Sequence, residues 1–259
     1  MDIWRWVYKK IDELRDDGHD RLAYMMNVFP SLNCDDQHEK LDALYPEALA
    51  LAKNLGDKWV EIFIRHWYLQ SQVLGRNNAR GMLEESIELL DLSHEPENKS
   101  CPQRVCSVQD LANCYGIKDG PGFTEERIQV SRETLDSING SWPCYGCVGS
   151  ELISAYIDTG DYQEAMAELK RCRHEMEKYD SFSSSDLSLT EARLLLYLGC
   201  TNEAEERISK TINAGGGEVY ERRKSLLLAK IYLEKSDWQG VKKTCLSYNG
   251  ALSESSYFD

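Results

Sequence analysis

The chain has 259 residues, with 30 Lys and Arg against 44 Asp and Glu, a formal net charge of −14 and 42% hydrophobic residues. That balance describes a folded protein and excludes a disordered tail; its acidic field repels phosphate backbones and anionic headgroups, so neither nucleic acid nor membrane is expected as a partner. No apolar stretch approaches the roughly 20 residues that cross a bilayer, and the N-terminus lacks a basic segment followed by an apolar run, so the cytoplasm is the expected location.

In chain order, Trp4, Val7, Ile11 and Leu14 recur at three- and four-residue intervals and predict an amphipathic first helix. Helices follow at about Asp20–Val28, Asp36–Leu55, Lys58–Leu74 and Asn77–Leu92, with Pro46 expected to break or kink the second of these. Between Ser93 and Gln103 the prolines 96 and 102 read as an extended linker, dividing one array over 1–259 into sub-blocks 1–95 and 103–250. Further helices are predicted at Arg104–Tyr115, Thr124–Ile138, Tyr145–Thr159, Tyr162–Tyr179, Asp186–Leu198, Asn202–Ala214, Val219–Lys235 and Asp237–Leu246. No segment alternates with period two between hairpin turns, so the fold class is all-α.

The units repeat most clearly in the C-terminal half. Leu152, Tyr156, Gly160, Tyr162, Ala165, Leu169 and Cys172 are echoed by Ala192, Leu195, Gly199, Ala204 and Ile208, and again by Leu228, Ala229, Tyr232, Trp238, Val241 and Cys245. Equivalent positions Tyr156, Leu195 and Tyr232 are spaced by 39 and 37 residues. This pattern resembles the tetratricopeptide repeat, in which a large residue near the end of helix A packs inward, glycine makes the turn and a small residue lets helix B pack closely. Ser236 stands where glycine is usual and Val241 where alanine is usual, and the family's terminal proline is absent. Upstream, Trp67, Ser71 and Gly75 echo one unit, and Leu111, Ala112 and Tyr115 another. The resemblance implies a right-handed α-solenoid of antiparallel helix pairs, a fold that presents a binding surface without naming its ligand.

Groups that might carry chemistry are sparse. Cys144 and Cys147 form a Cys-x-x-Cys before a helix, but a redox motif of that kind follows a strand, and none is readable. A zinc site would need Cys101, Cys106 and His94 or Cys114 beside that pair, at irregular spacing. The nine cysteines are odd in number, unlike a disulfide scaffold, and read as reduced thiols acting as small buried hydrophobes. The five histidines show no metal-ligand spacing, with His66 a core or groove residue; the glycines 215 to 217 lack the Lys-Ser or Lys-Thr of a phosphate loop and read as a helix cap and joint. No catalytic residue, cofactor or metal is expected.

In the repeat family helix A lines the concave groove. Carried over by the matched repeats, that groove would contain Ser150, Ser154 and Asp158, then Arg193 and Tyr197, then Leu226, Lys230 and Glu234, and upstream Arg65, Leu69 and Val73. The expected function is non-catalytic binding of another protein, with a basic toxin or effector domain, neutralised as by an immunity protein, as one version. The alternative is a scaffold that holds a peptide, and a cysteine-dependent enzyme or an enzyme's accessory domain is a third class.

Overall fold

A computed structural model describes residues 2–179, 184–211 and 217–247. Those residues form thirteen α-helices and no strand. They are α1 (Ile3–Asp16), α2 (Asp20–Cys34), α3 (His38–Leu55), α4 (Lys58–Gln70), α5 (Leu83–His94), α6 (Arg104–Cys114), α7 (Thr124–Ser137), α8 (Tyr145–Thr159), α9 (Tyr162–Lys178), α10 (Ser184–Tyr197), α11 (Thr201–Ser209), α12 (Gly217–Glu234) and α13 (Trp238–Ser247). Helix α11 ends at Ser209, short of the expected Ala214, while residues 212–214 of that expectation, the joint at Gly215 and Gly216 and everything from residue 248 onward lie outside the described residues.

Local chemistry sets the helix ends. The Asp2 carboxylate caps α1 by accepting from the amides of Trp4 and Arg5, and Asp57 caps α4 through Trp59 and Val60. At the three matched repeats the closing turn is the same object. Gly160, Gly199 and Ser236 have φ of 84, 76 and 55°. Each donates its amide three residues back, while the next residue, Asp161, Cys200 or Asp237, donates five back, to Tyr156, Leu195 or Tyr232. This double bond pattern satisfies carbonyls that a helix end leaves open, and it needs a left-handed residue, which costs glycine nothing and serine a little. Asp36, at φ 54°, ends α2 in the same way, with Gln37 donating to Leu32. An aspartate in the glycine position hides this turn from a search for glycine.

The structure shows no break at Pro46 and no extended linker at Ser93–Gln103. Helix α3 runs without interruption through Pro46, and α2 contains Pro30. A buried apolar face, with Leu41, Ala48 and Ala52 on α3, compensates for the hydrogen bond that each proline omits. The stretch from Ser93 to Gln103 is not an extended linker. It coils through a 3-10 turn at Pro96–Asn98 and is anchored to the interior at Asn98 and at Cys101 to Gln103: Asn98 donates from Nδ2 to the Leu92 carbonyl at 2.8 Å, and Cys101 packs with Ile62, Leu69 and Leu89.

Packing alternates along the chain. The even-numbered helices touch one another in series, α2 on α4, α4 on α6, α6 on α8, α8 on α10 and α10 on α12. The odd-numbered ones pack chiefly on the even-numbered helices before and after them. The series then closes, because α12 also packs on α2. Arg222 on α12 donates from Nη1 to Asp36 Oδ2 at 2.5 Å across 186 residues of sequence. Gly217 lies so close to the Cys34 carbonyl that a Cβ at this position would collide with it. Apolar clusters are distributed to match, one around Met25, Met26, Phe29 and Phe63, one of similar size around Leu152, Ile153, Tyr156 and Leu169, and a small one around Ala192, Ile208 and Ile231.

Closure makes a specific prediction. Asp36→Asn keeps the left-handed preference but removes the charge facing Arg222, and should cost about 1.5–3 kcal/mol, the scale of a hydrogen bond to a charged group. Amide exchange should accelerate together in α12 and at the α2–α3 joint. Unchanged protection of α12 would show that the ring does not depend on this pair.

Candidate protein-binding face

Charge is buried between the helices in a repeating way. Arg127 on α7 is almost inaccessible, and its guanidinium donates to Glu151 Oε2 at 2.5 Å and to Asp158 Oδ2 at 2.9 Å, both on α8. The other oxygen of Asp158 accepts from Arg193 on α10. Burial opposes the charge on Arg127, but Glu151 and Asp158 more than offset this and raise its pKa. Glu191 on α10 likewise accepts from Arg173 on α9 at 2.8 Å and from Arg207 on α11 at 3.1 Å. On α4, Arg65 is tied to Glu85 at 2.6 Å and Glu88 at 3.0 Å.

These ties divide the residues assigned to the groove. Arg65, Leu69 and Val73 are interior: Arg65 is enclosed by its carboxylates, Leu69 is fully buried with Cys101, and Val73 packs with Ala79 and Cys114. Ser71 through Gly75 forms a π-turn that extends α4 and carries Val73 inward. The upstream residues therefore give a partner no accessible surface. The apolar character of Leu69 and Val73 was a packing signal.

The other eight assigned residues lie on α8, α10 and α12, which contact one another in series. Ser154 and Asp158 on α8 are half-buried, as is Arg193 on α10, while Tyr197, Lys230 and Glu234 are exposed. The Arg193 guanidinium lies 5.7 Å from the Tyr197 ring centroid, and Tyr162 of α9 stacks on the same Tyr197 ring at 6.0 Å. Tyr197 is 49% exposed and Leu226 on α12 is 52% exposed. Leu226, Lys230 and Glu234 follow one another at four-residue spacing along α12 and form one stripe. Ser150, also assigned to the groove, pairs with Thr190 between α8 and α10.

Two polar arrangements escaped sequence reasoning. Ser71 Oγ lies 2.8 Å from His38 Nδ1, and His38 Nε2 lies 3.0 Å from Asp36 Oδ1, the order of groups in a hydrolase triad. Ser71 has no exposed surface, however, and the second Asp36 oxygen is held by Arg222, so the set locks α3, the π-turn and α12 together. His66 Nδ1 is 2.8 Å from Asp110 Oδ2, whose other oxygen accepts from Gln70, and this joins α4 to α6 in the interior. Apart from Asp36 and His38, which are two residues apart, these partners are more than 30 residues apart in sequence, so no local motif announces either set.

Among the described residues, no group of three or more His, Cys, Asp or Glu is arranged to hold a metal ion, and no helix is long and apolar enough to cross a membrane. His94 bonds the Leu90 carbonyl and Cys114 sits in a separate cluster, away from the other cysteines proposed for zinc. A surface depression of about 430 Å3 between α7, α8 and α9 is lined by Leu135, Tyr145, Arg171 and Glu175. No family profile matches the chain, and neither a curated protein nor a solved structure matches it.

Removal of Arg127 would strand two carboxylates. Arg127→Met should cost about 3–5 kcal/mol in urea unfolding, whereas Arg15→Met, which breaks only the exposed pair with Asp12, should cost under about 1 kcal/mol. Equal costs would show that the interior pair is not desolvated. Burial pushes the thiols of Cys101, Cys114 and Cys172 up to about 12. Native protein should therefore leave these three unalkylated by iodoacetamide in mildly alkaline buffer, while urea exposes all nine cysteines; rapid native labelling of all nine would contradict their burial.

Proposed function

We propose that the helices form a right-handed α-solenoid of antiparallel tetratricopeptide-like pairs, wound until its first and last members meet. This array binds another protein in the cytoplasm without catalysing a reaction. The observation that carries the reading is the large apolar surface exposed by Tyr197 on α10 and by Leu226 on α12, the latter in one stripe with Lys230 and Glu234. Large side chains flanked by charge are the composition of an interface, with aromatic anchors supplying most of the affinity. Tyr197 is held in place by Arg193 and Tyr162, so little rotamer entropy is lost when a partner covers it.

The net charge of −14 favours a basic partner. A basic toxin or effector domain, covered and neutralised by this chain, is the specific form that charge complementarity supports. Groove binding of a short peptide is less favoured, because the α4 portion of the expected groove is filled by its own side chains.

Affinity purification from the native cell with wild-type chain and a Tyr197→Ala, Leu226→Ala variant tests the reading. A basic protein at equal stoichiometry should be retained by the wild type. The variant, checked for an unchanged helical circular dichroism spectrum, should bind it about 30-fold more weakly, near 2 kcal/mol, mostly through faster dissociation. Association should slow as salt shortens the Debye length from about 30 Å at 0.01 M to about 8 Å at physiological strength. Unchanged dissociation by the variant would place the interface elsewhere. Arg193 is left intact because it also holds Asp158.

A further inference from the structure

The cysteines converge more than their spacing suggests. Cys106, in the first turn of α6, and Cys144, the residue that caps α8, bring their sulfurs within 2.6 Å of each other. Cys147, one turn into α8, is hydrogen-bonded to the same Cys144 thiol. Two thiolates sharing a tetrahedral zinc at about 2.3 Å each stand about 3.8 Å apart, so the pair is too close for a metal clamp. Cys144 also holds an unusual backbone, with φ of 61° for a residue that has a Cβ. That conformation turns the chain into α8 at the point where it meets α6.

We infer that Cys106 and Cys144 are an oxidation site, a dithiol set to close into a disulfide that staples α6 to the start of α8. The helices are already packed on one another and the two sulfurs are in contact, so the fold has already placed the bonding partners side by side. The oxidant is a small organic disulfide such as oxidised glutathione. Cys144 retains partial exposure whereas Cys106 is buried, so Cys144 reacts first. Its sulfur loses a proton and attacks the reagent, forming a mixed disulfide and releasing one thiol. Cys106 then loses its proton and attacks Cys144 Sγ, forming the protein disulfide and releasing the second reagent thiol. The two cysteines are oxidised by two electrons in total and the reagent disulfide is reduced to two thiols. Contact with Cys106 pushes the Cys144 thiol well up, which marks a slow modification site and not a redox enzyme's nucleophile. The closed loop spans 38 residues and contains α7, so the bond restricts the unfolded chain far more than a Cys144–Cys147 bond, which would close only one turn.

The test treats full-length protein with oxidised glutathione, quenches with acid and maps peptides without reduction. The expected product has lost two hydrogens, joins the Cys106 peptide to the one carrying Cys144 and Cys147, and melts several degrees higher than reduced protein. Cys147→Ser should keep the cross-link, and Cys144→Ser should lose it. Three results would overturn the inference: a Cys144–Cys147 bond alone, glutathione retained as a mixed disulfide, or persistence of the link to Cys106 in Cys144→Ser. Fragmentation of the wild-type peptide between residues 144 and 147 gives the same assignment should either variant fail to fold.

Discussion

Arg127 is almost inaccessible to water, and a guanidinium in that position is tolerable only against carboxylates. Glu151 and Asp158 meet that need from α8, and Asp158 passes the constraint onward to Arg193 on α10. One buried charge therefore sets the rotation of α8 toward α7 and its register toward α10. Glu191 acts similarly between α9, α10 and α11. Such pairs add little net stability, since desolvation consumes most of the Coulombic gain, but a helix turned by one residue would leave a charge unpaired at a cost of several kcal/mol. Apolar faces bring the helices together; buried ions select among the ways they can fit.

The closure at Asp36 extends this logic to the ends of the chain. A repeat array needs only neighbouring contacts, and its terminal members usually face solvent. Here α12 docks on α2, and the carboxylate that receives Arg222 also orients His38, which in turn reaches Ser71 in the π-turn after α4. A single aspartate thus joins three segments. Its left-handed backbone is part of the device, because it ends α2 where the side chain can reach both partners.

This packing also decides what is left for function. Around α4 the side chains that the repeat pattern assigns to a groove are consumed by the interior, while on α10 and α12 they remain outside. On α13, Trp238 is 67% exposed and Leu246 58% exposed. A partner seated on this side would meet a rigid aromatic on α10 and a mixed apolar and charged helix beside it.

The amino-acid sequence determined the helical class, most helix boundaries and the three C-terminal turns, because helical periodicity and capping are local properties read over a few residues. Gly160 and Gly199 announce their left-handed turns directly, and Ser236 is recognisable only by its place in the repeat. Tertiary structure decided what local pattern could not. Pro46 stays inside α3 because packing of the helix outweighs one missing bond, and Ser93–Gln103 is folded inward although its prolines suggest an open connection. Leu69 and Val73 satisfy the groove spacing as well as Tyr197 does, yet they are buried, because burial depends on which helices arrive from elsewhere in the chain. The same holds for Asp36 with Arg222 and for Cys106 with Cys144: each residue is ordinary in its own segment, and its chemistry exists only once distant helices place a partner within bonding distance.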